Sequence, residues 1–182
     1  MFSSVAFYIN SAGPSQPFMG FGIYSPEGLR DYIPNANLTV PVGQTMNWYL
    51  TLTNDMGSAQ FVQIVVRMGN LTTPSPNATT PLTGYAPLLS LQQFVGDGET
   101  TKIPFTWNLQ VVNESANNST VFLAMLVNGQ AVSSEPIFAL HGQNFRLIFE
   151  LWTFNSETNG FLYGYGSSSS RTGCWLQVWF NA

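Results

Sequence analysis

The chain holds one histidine, His141, and one cysteine, Cys174, so a Ser-His-Asp or Cys-His device would have to run through His141. His141 stands in Leu140-His141-Gly142, a turn signal ahead of an apolar stretch, and reads as an exposed turn residue. A single histidine cannot build a His-rich metal site. Cys174 follows a glycine and opens the terminal apolar stretch. It reads as a small buried apolar side chain, and no internal disulfide can form. Of the nine carboxylates, most fall in turn segments. Asp97 and Glu99, in Gly96-Asp97-Gly98-Glu99, supply too few ligands for a calcium loop. Glu150 is the exception, placed inside the apolar run RLIFELW on the same face as Arg146 and Ile148. It reads as an outward residue paired with Arg146 or a threonine, with a subunit contact or the acid of an isopeptide bond as alternatives. An isopeptide bond needs a lysine. The one lysine, Lys102, alternates with an inward Ile103 and so faces solvent. This inventory predicts no enzyme, no metal and no cofactor.

A second set of chemical signals is the Asn-X-Ser/Thr sequons, which begin at Asn37, Asn70, Asn77, Asn113, Asn117 and Asn118. All but Asn37 fall in or beside segments that read as loops, so secretion with N-linked glycans is expected. Charged residues make up only 8% of the chain, against roughly 25% in an average soluble domain. Polarity comes instead from Asn, Thr, Ser and Gln, which do not titrate. The net charge of −4 excludes the basic stripe that nucleic acid selects. No apolar run approaches the ~18 residues of a membrane span. Residues 1–10 lack a basic n-region and are too short for a signal peptide, so a mature or trimmed secreted chain is expected.

The elements that must position these residues read as strands. Residues 18–25 form the first. Residues 45–54 alternate, with Met46, Trp48, Leu50 and Leu52 inward, and residues 60–68 follow with Val62, Ile64, Val66 and Met68 on one face. The turn 54–58 between them predicts a hairpin. Residues 69–86 read as a long surface loop. Residues 88–95 and 100–107 predict a second strand pair around Gly96-Asp97-Gly98, with Ile103, Phe105 and Trp107 inward. Asn128-Gly129 between residues 120–127 and 130–133 is a tight-turn signal. Residues 144–154 alternate with Phe145, Leu147, Phe149 and Leu151 inward. Residues 164–173 read as a flexible Gly/Ser loop, and residues 174–181 as a closing strand with Trp175 and Trp179 outward.

Roughly eight or nine short strands with no connecting helix predict an all-β, immunoglobulin-like β-sandwich. The hydrophobic content of 45% supplies material for a core in one domain. The first ten residues add something unusual. Val5, Phe7 and Ile9 line one face of an apolar strand that is separated from the body by Ser11-Ala12-Gly13-Pro14-Ser15-Gln16-Pro17. The expected organisation is a detached strand (1–10), a hinge (11–17) and a sandwich (18–182).

Several stretches resemble an archaeal surface-domain family of unknown function (DUF 1616). They are Phe21-Gly22-Ile23-Tyr24-Ser25-Pro26-Glu27-Gly28, Asn37-Leu38-Thr39-Val40, residues 43–54, residues 62–66, residues 145–151 and Leu176-Gln177-Val178-Trp179. Phe7-Tyr8-Ile9-Asn10 is similar to that family's lead-in segment. The resemblance implies an extracellular immunoglobulin-like domain and carries no catalytic residues. Members usually have membrane helices before this domain, and the lack of one here favours a secreted product. The layout is also similar to subunits of archaeal thread or pilus filaments, whose N-terminal strand enters the next subunit.

Two functions follow from a strand on a hinge. In the first, residues 3–10 of one copy complete the sheet of the next, making a head-to-tail homopolymer at the cell surface. In the second, residues 3–10 fold back in cis, giving a monomeric secreted or envelope adhesion domain. Its outward aromatics would then bind sugars or a partner.

Overall fold

A computed structural model describes residues 16–29, 32–33, 38–114, 119–167 and 169–182. The expected leading strand with Val5, Phe7 and Ile9, most of the hinge, and Asn37, Asn117 and Asn118 lie outside these residues. Among the described residues there is no helix, hence none long and apolar enough to cross a membrane.

The strands are β1 (Phe18–Tyr24), β2 (Met46–Asp55), β3 (Gln60–Gly69), β4 (Leu89–Val95), β5 (Glu99–Glu114) and β6 (Ser119–Val127). They continue with β7 (Gln130–Leu140), β8 (Phe145–Asn155), β9 (Gly160–Tyr163), β10 (Tyr165–Ser167), β11 (Ser170–Thr172) and β12 (Cys174–Phe180). One antiparallel sheet has the order β1-β2-β5-β6-β7. The other has the order β12-β8-β3-β4, with β9 also paired to β8. The fold is an all-β sandwich, as expected.

Both inner faces follow the alternation read from the sequence. Met46, Trp48, Leu50 and Leu52 meet Val62, Ile64, Val66 and Met68 from the opposite sheet, and all eight are buried. Phe145, Leu147, Phe149 and Leu151 complete the second sheet's inner row. An aromatic cluster ties the layers together: Trp48 lies 5.0 Å from Trp107, and Phe105 lies 5.2 Å from Phe149, both edge-on. Trp48 also donates from Nε1 to the Tyr32 carbonyl at 2.8 Å.

Two strand pairings expected from the turns are not formed. β2 and β3 lie in different sheets, and so do β4 and β5. Each connection is an arch between layers, not a hairpin within one. The alternation gives the correct inward face in both cases, because either partner sheet would put those residues in the same core. It does not say which sheet the strand joins.

Asn54 fixes the arches. It continues the inward alternation of β2 and is buried. Its Nδ2 donates to the carbonyls of Ser58 at 2.9 Å, Val95 at 3.0 Å and Gly96 at 3.1 Å. Its Oδ1 accepts from the Met56 N–H at 3.1 Å. One side chain thus links both crossovers, and the Asp97 carboxylate adds a 2.7 Å bond from the Gly57 N–H.

The remaining turns agree with their residues. Asn128 and Gly129 both hold positive φ, as a two-residue hairpin turn requires. Where a Gly/Ser loop is expected over 164–173, Tyr165–Ser167 and Ser170–Thr172 instead form an antiparallel pair as β10 and β11. Arg171 organises it, donating to the carbonyls of Tyr163 (2.9 Å), Gly166 (3.1 Å) and Leu162 (2.9 Å) and to Thr153 Oγ1 (2.6 Å). Gly164 is required there, since a Cβ would stand 2.1 Å from the Thr172 carbonyl oxygen.

Replacing Asn54 by Ala leaves buried carbonyls unpaired at both arches. Asn54→Ala should lower unfolding free energy by about 2–4 kcal/mol in a guanidinium titration, with the slope unchanged.

Candidate functional site: an unpaired strand margin

β5 is sixteen residues long, and its two halves have different neighbours. From Trp107 onward it pairs with β2 or β6, but residues 99–106 pair with β2 alone. Thr106 points its N–H and C=O away from β2, where Asn128 meets both at 2.8 Å. Backbone direction repeats every second residue, so Thr100, Lys102 and the Pro104 carbonyl face the same open side. No hydrogen bond reaches these groups among the described residues. Pro104 has no N–H to offer, as is common on an edge strand.

The opposite layer ends at the same margin. Among the described residues β4 pairs only with β3, and no strand meets its other edge. Leu89 and Leu91 lie opposite the buried Val66 and Ile64 and so point inward, yet both remain half-buried. Ile103, opposite Leu50, is also half-buried and packs against the core. Apolar side chains from both layers therefore border a strip of core that no strand of the described residues covers. Geometrically this is an acceptor for one more strand beside β5, carrying apolar residues at every second position.

The second sheet's outer face around Arg67, Glu150 and Arg146 is covered by a strap. Residues 70–88 contain no strand, as expected, but they are packed down by buried charges and are not a free loop. Glu150 is fully buried. Its carboxylate accepts from Arg67 Nε at 3.2 Å, from Trp152 Nε1 at 3.4 Å and from the Leu82 N–H. Arg67 also donates to the Tyr85 carbonyl. The partner of Glu150 is thus Arg67 and not Arg146. Arg146, two outward positions away beyond Ile148, donates to Ser75 Oγ (2.8 Å), Gln177 Oε1 (2.6 Å) and the carbonyls of Thr73 and Pro74. Its guanidinium lies 4.7 Å from the centre of the Trp179 ring, and burial lowers its pKa. Two arginines and one glutamate hold the strap across β8, β3 and β12.

The other residues singled out by sequence do not converge. His141 is exposed in the β7–β8 turn, as expected. Asp97 and Glu99 are used by backbone amides, Glu99 Oε2 accepting from the Gly96 N–H at 2.8 Å. No group of three metal-ligating side chains occurs among the described residues. Lys102 is exposed on the solvent face, as its alternation predicts. Cys174 is half-buried against the core, and burial pushes its thiol up to about 11. Tyr163 is raised further, by burial and then by nearby Glu150 and Cys174, and donates to the Asn77 carbonyl at 2.9 Å.

Among the described sequons, Asn77 and Asn113 are exposed, and Asn70 is half-buried. Asn70 Nδ2 donates to the Phe138 carbonyl at 2.8 Å. The Asn77 Oδ1 accepts from the Thr79 N–H and hydroxyl at 2.8 and 3.1 Å. Trp175 and Trp179 lie on the outer face but are half-buried, Trp179 beneath Arg146. The exposed aromatic row is a different one: Phe94, Phe61, Phe154 and Phe161 run across β4, β3, β8 and β9. Phe61 and Phe94 stack at 4.3 Å, and Phe94 is 67% exposed. Its signal in the sequence was the opposite phase of the same alternation that defines the core face.

No family model matches the chain, and no curated protein matches it.

Two outcomes test this description. Arg67→Met strands the Glu150 carboxylate without its cation and should cost about 3–5 kcal/mol of stability. Adding Glu150→Leu to that variant should recover part of the loss, measured as a double-mutant cycle by chemical denaturation. For Cys174, at pH 8 a thiol held near 11 presents about a hundredfold less thiolate than one at the usual value near 9. Labelling by a thiol reagent should therefore be about a hundredfold slower in the native protein than in guanidinium.

Proposed function

We propose that this chain is a structural subunit of an extracellular filament, assembled by strand exchange between copies. Residues 3–10 of one copy run beside residues 99–105 of β5 in the next. Val5, Phe7 and Ile9 enter the strip bordered by Leu89, Leu91 and Ile103. The single observation that carries this reading is the half of β5 that faces the outer edge of β4, both without a strand partner there among the described residues. The strand order β12-β8-β3-β4 against β1-β2-β5 parallels the immunoglobulin arrangement, in which a further strand stands beside the one matching β5. The immunoglobulin-like plan, the archaeal cell-surface setting and the glycans at the sequons belong to this same proposal.

Burial of three such side chains contributes about 5–8 kcal/mol before ordering costs, and the β5 edge supplies the backbone ladder. Self-insertion in cis is the competing arrangement. The hinge can reach ~23 Å when extended. Phe18 enters opposite Asp55, at the end of the sandwich where the arches are tied together by Asn54 and Asp97. A cis strand would have to pass around those arches to reach β5, whereas a strand from another copy enters without that detour. Head-to-tail insertion leaves one donor and one acceptor free at the two ends, so it gives an open fibre.

Electron microscopy of the full chain should show fibres with a repeat of about one domain. Deleting residues 1–10 should give a less stable monomer, and a peptide of residues 1–10 should restore its stability. Dispersed single particles of the full chain would overturn the filament reading in favour of a monomeric envelope domain closed in cis.

A further inference from the structure

The outer face of the first sheet carries a regular grid across β1, β2 and β5. Tyr24, Tyr49 and Pro104 form one row, Gly22, Thr51 and Lys102 the next, and Gly20, Thr53 and Thr100 the third. The two glycines leave the β1 side of the grid without side chains. A Cβ on Gly22 would stand 2.7 Å from Thr51 Oγ1 and 3.1 Å from the Tyr24 ring. Thr51 and the Tyr24 ring thus close over β1 at Gly22, and beside them lies a trough of about 400 Å³. That volume falls within the ~300–1,000 Å³ of ordinary ligand clefts. The Ser25–Gly28 turn, closed by reciprocal backbone bonds of 2.8 and 3.0 Å, walls one end beside the tyrosines.

The lining is chemically uniform in a way that narrows the ligand. Thr51, Thr53 and Thr100 present hydroxyls, each a donor and an acceptor, and the Thr53 and Thr100 hydroxyls lie 2.8 Å apart. Tyr24 and Tyr49 are exposed and pair across the strands, offering an apolar ring with a polar tip. Lys102, the chain's one lysine, adds an ammonium, and no carboxylate lines the trough among the described residues. A ligand with many hydroxyls and apolar C–H faces satisfies all three groups at once. A lipid tail would leave the threonines unpaired, and nucleic acid would find one cation only.

We infer that this trough is a binding site for a short oligosaccharide, with the tyrosines packing against the sugar ring faces and the threonines and Lys102 bonding its hydroxyl oxygens. The site goes beyond the filament reading and does not depend on it, since β1, β2 and β5 form the grid without a donor strand.

Isothermal titration of the full chain with maltotriose, mannotriose, triacetylchitotriose and trigalacturonate tests it. At least one should bind saturably. Tyr49→Ala and Lys102→Met, both exposed positions, should each weaken that binding at least about tenfold. Phe138→Ser, on β7 and outside the trough, should leave it unchanged. No saturable binding up to about 10 mM of any of the four, or binding that Tyr49→Ala and Lys102→Met leave unchanged, overturns the assignment. Neither result bears on fibre formation, which is read separately by microscopy.

Discussion

The Glu150 carboxylate is the constraint around which the second sheet is built. It sits fully buried on the face of β8 that points away from the core. A lone charge there would be untenable, so it needs Arg67 from β3 and the Leu82 amide from the strap. Satisfying one buried acid thus ties neighbouring strands to each other and to the long connection between β3 and β4. With that connection pinned, β8 and β3 are covered on both faces, which is why β8 reads as a nearly continuous buried run. The strap also sets where β4 begins, and β4 in turn forms one lip of the open margin.

The inward faces were legible residue by residue. Every second residue from Met46 to Leu52, from Val62 to Met68 and from Phe145 to Leu151 is apolar, and a period of two leaves little choice of face. Strand partners were not legible, because a turn between two alternating runs serves a hairpin and an inter-sheet arch equally well. Asn54 was the available clue: an amide on the inward phase of an apolar strand must find buried partners, and only an arch supplies carbonyls from two crossovers. The bare half of β5 was hidden for a related reason. Its alternation continues unchanged from Thr101 to Leu109, while its neighbour changes partway along.

The scarcity of charge has a structural counterpart. Of the four arginines, Arg67, Arg146 and Arg171 are consumed in holding backbone carbonyls and a buried acid. Those three cations act as clamps inside the fold. The exposed faces are left to hydroxyls, amides and aromatic rings, whose interactions are nearly independent of pH and weakly screened by salt.

The pairing of β3 with β8 joins residues very far apart in the chain. Val65 lies opposite Glu150, and Arg67 reaches Glu150 across 83 positions. Sheets assembled from such distant partners close slowly, because the intervening chain must be ordered before any contact repays it. During synthesis at ~5–20 residues per second, the β3 edge waits on the order of 4–17 seconds for β8 to emerge. β1 and β2 are made before β3 and are present throughout that interval. The order in which the ribosome delivers the strands therefore sets which edges of the second sheet stand open, and for how long.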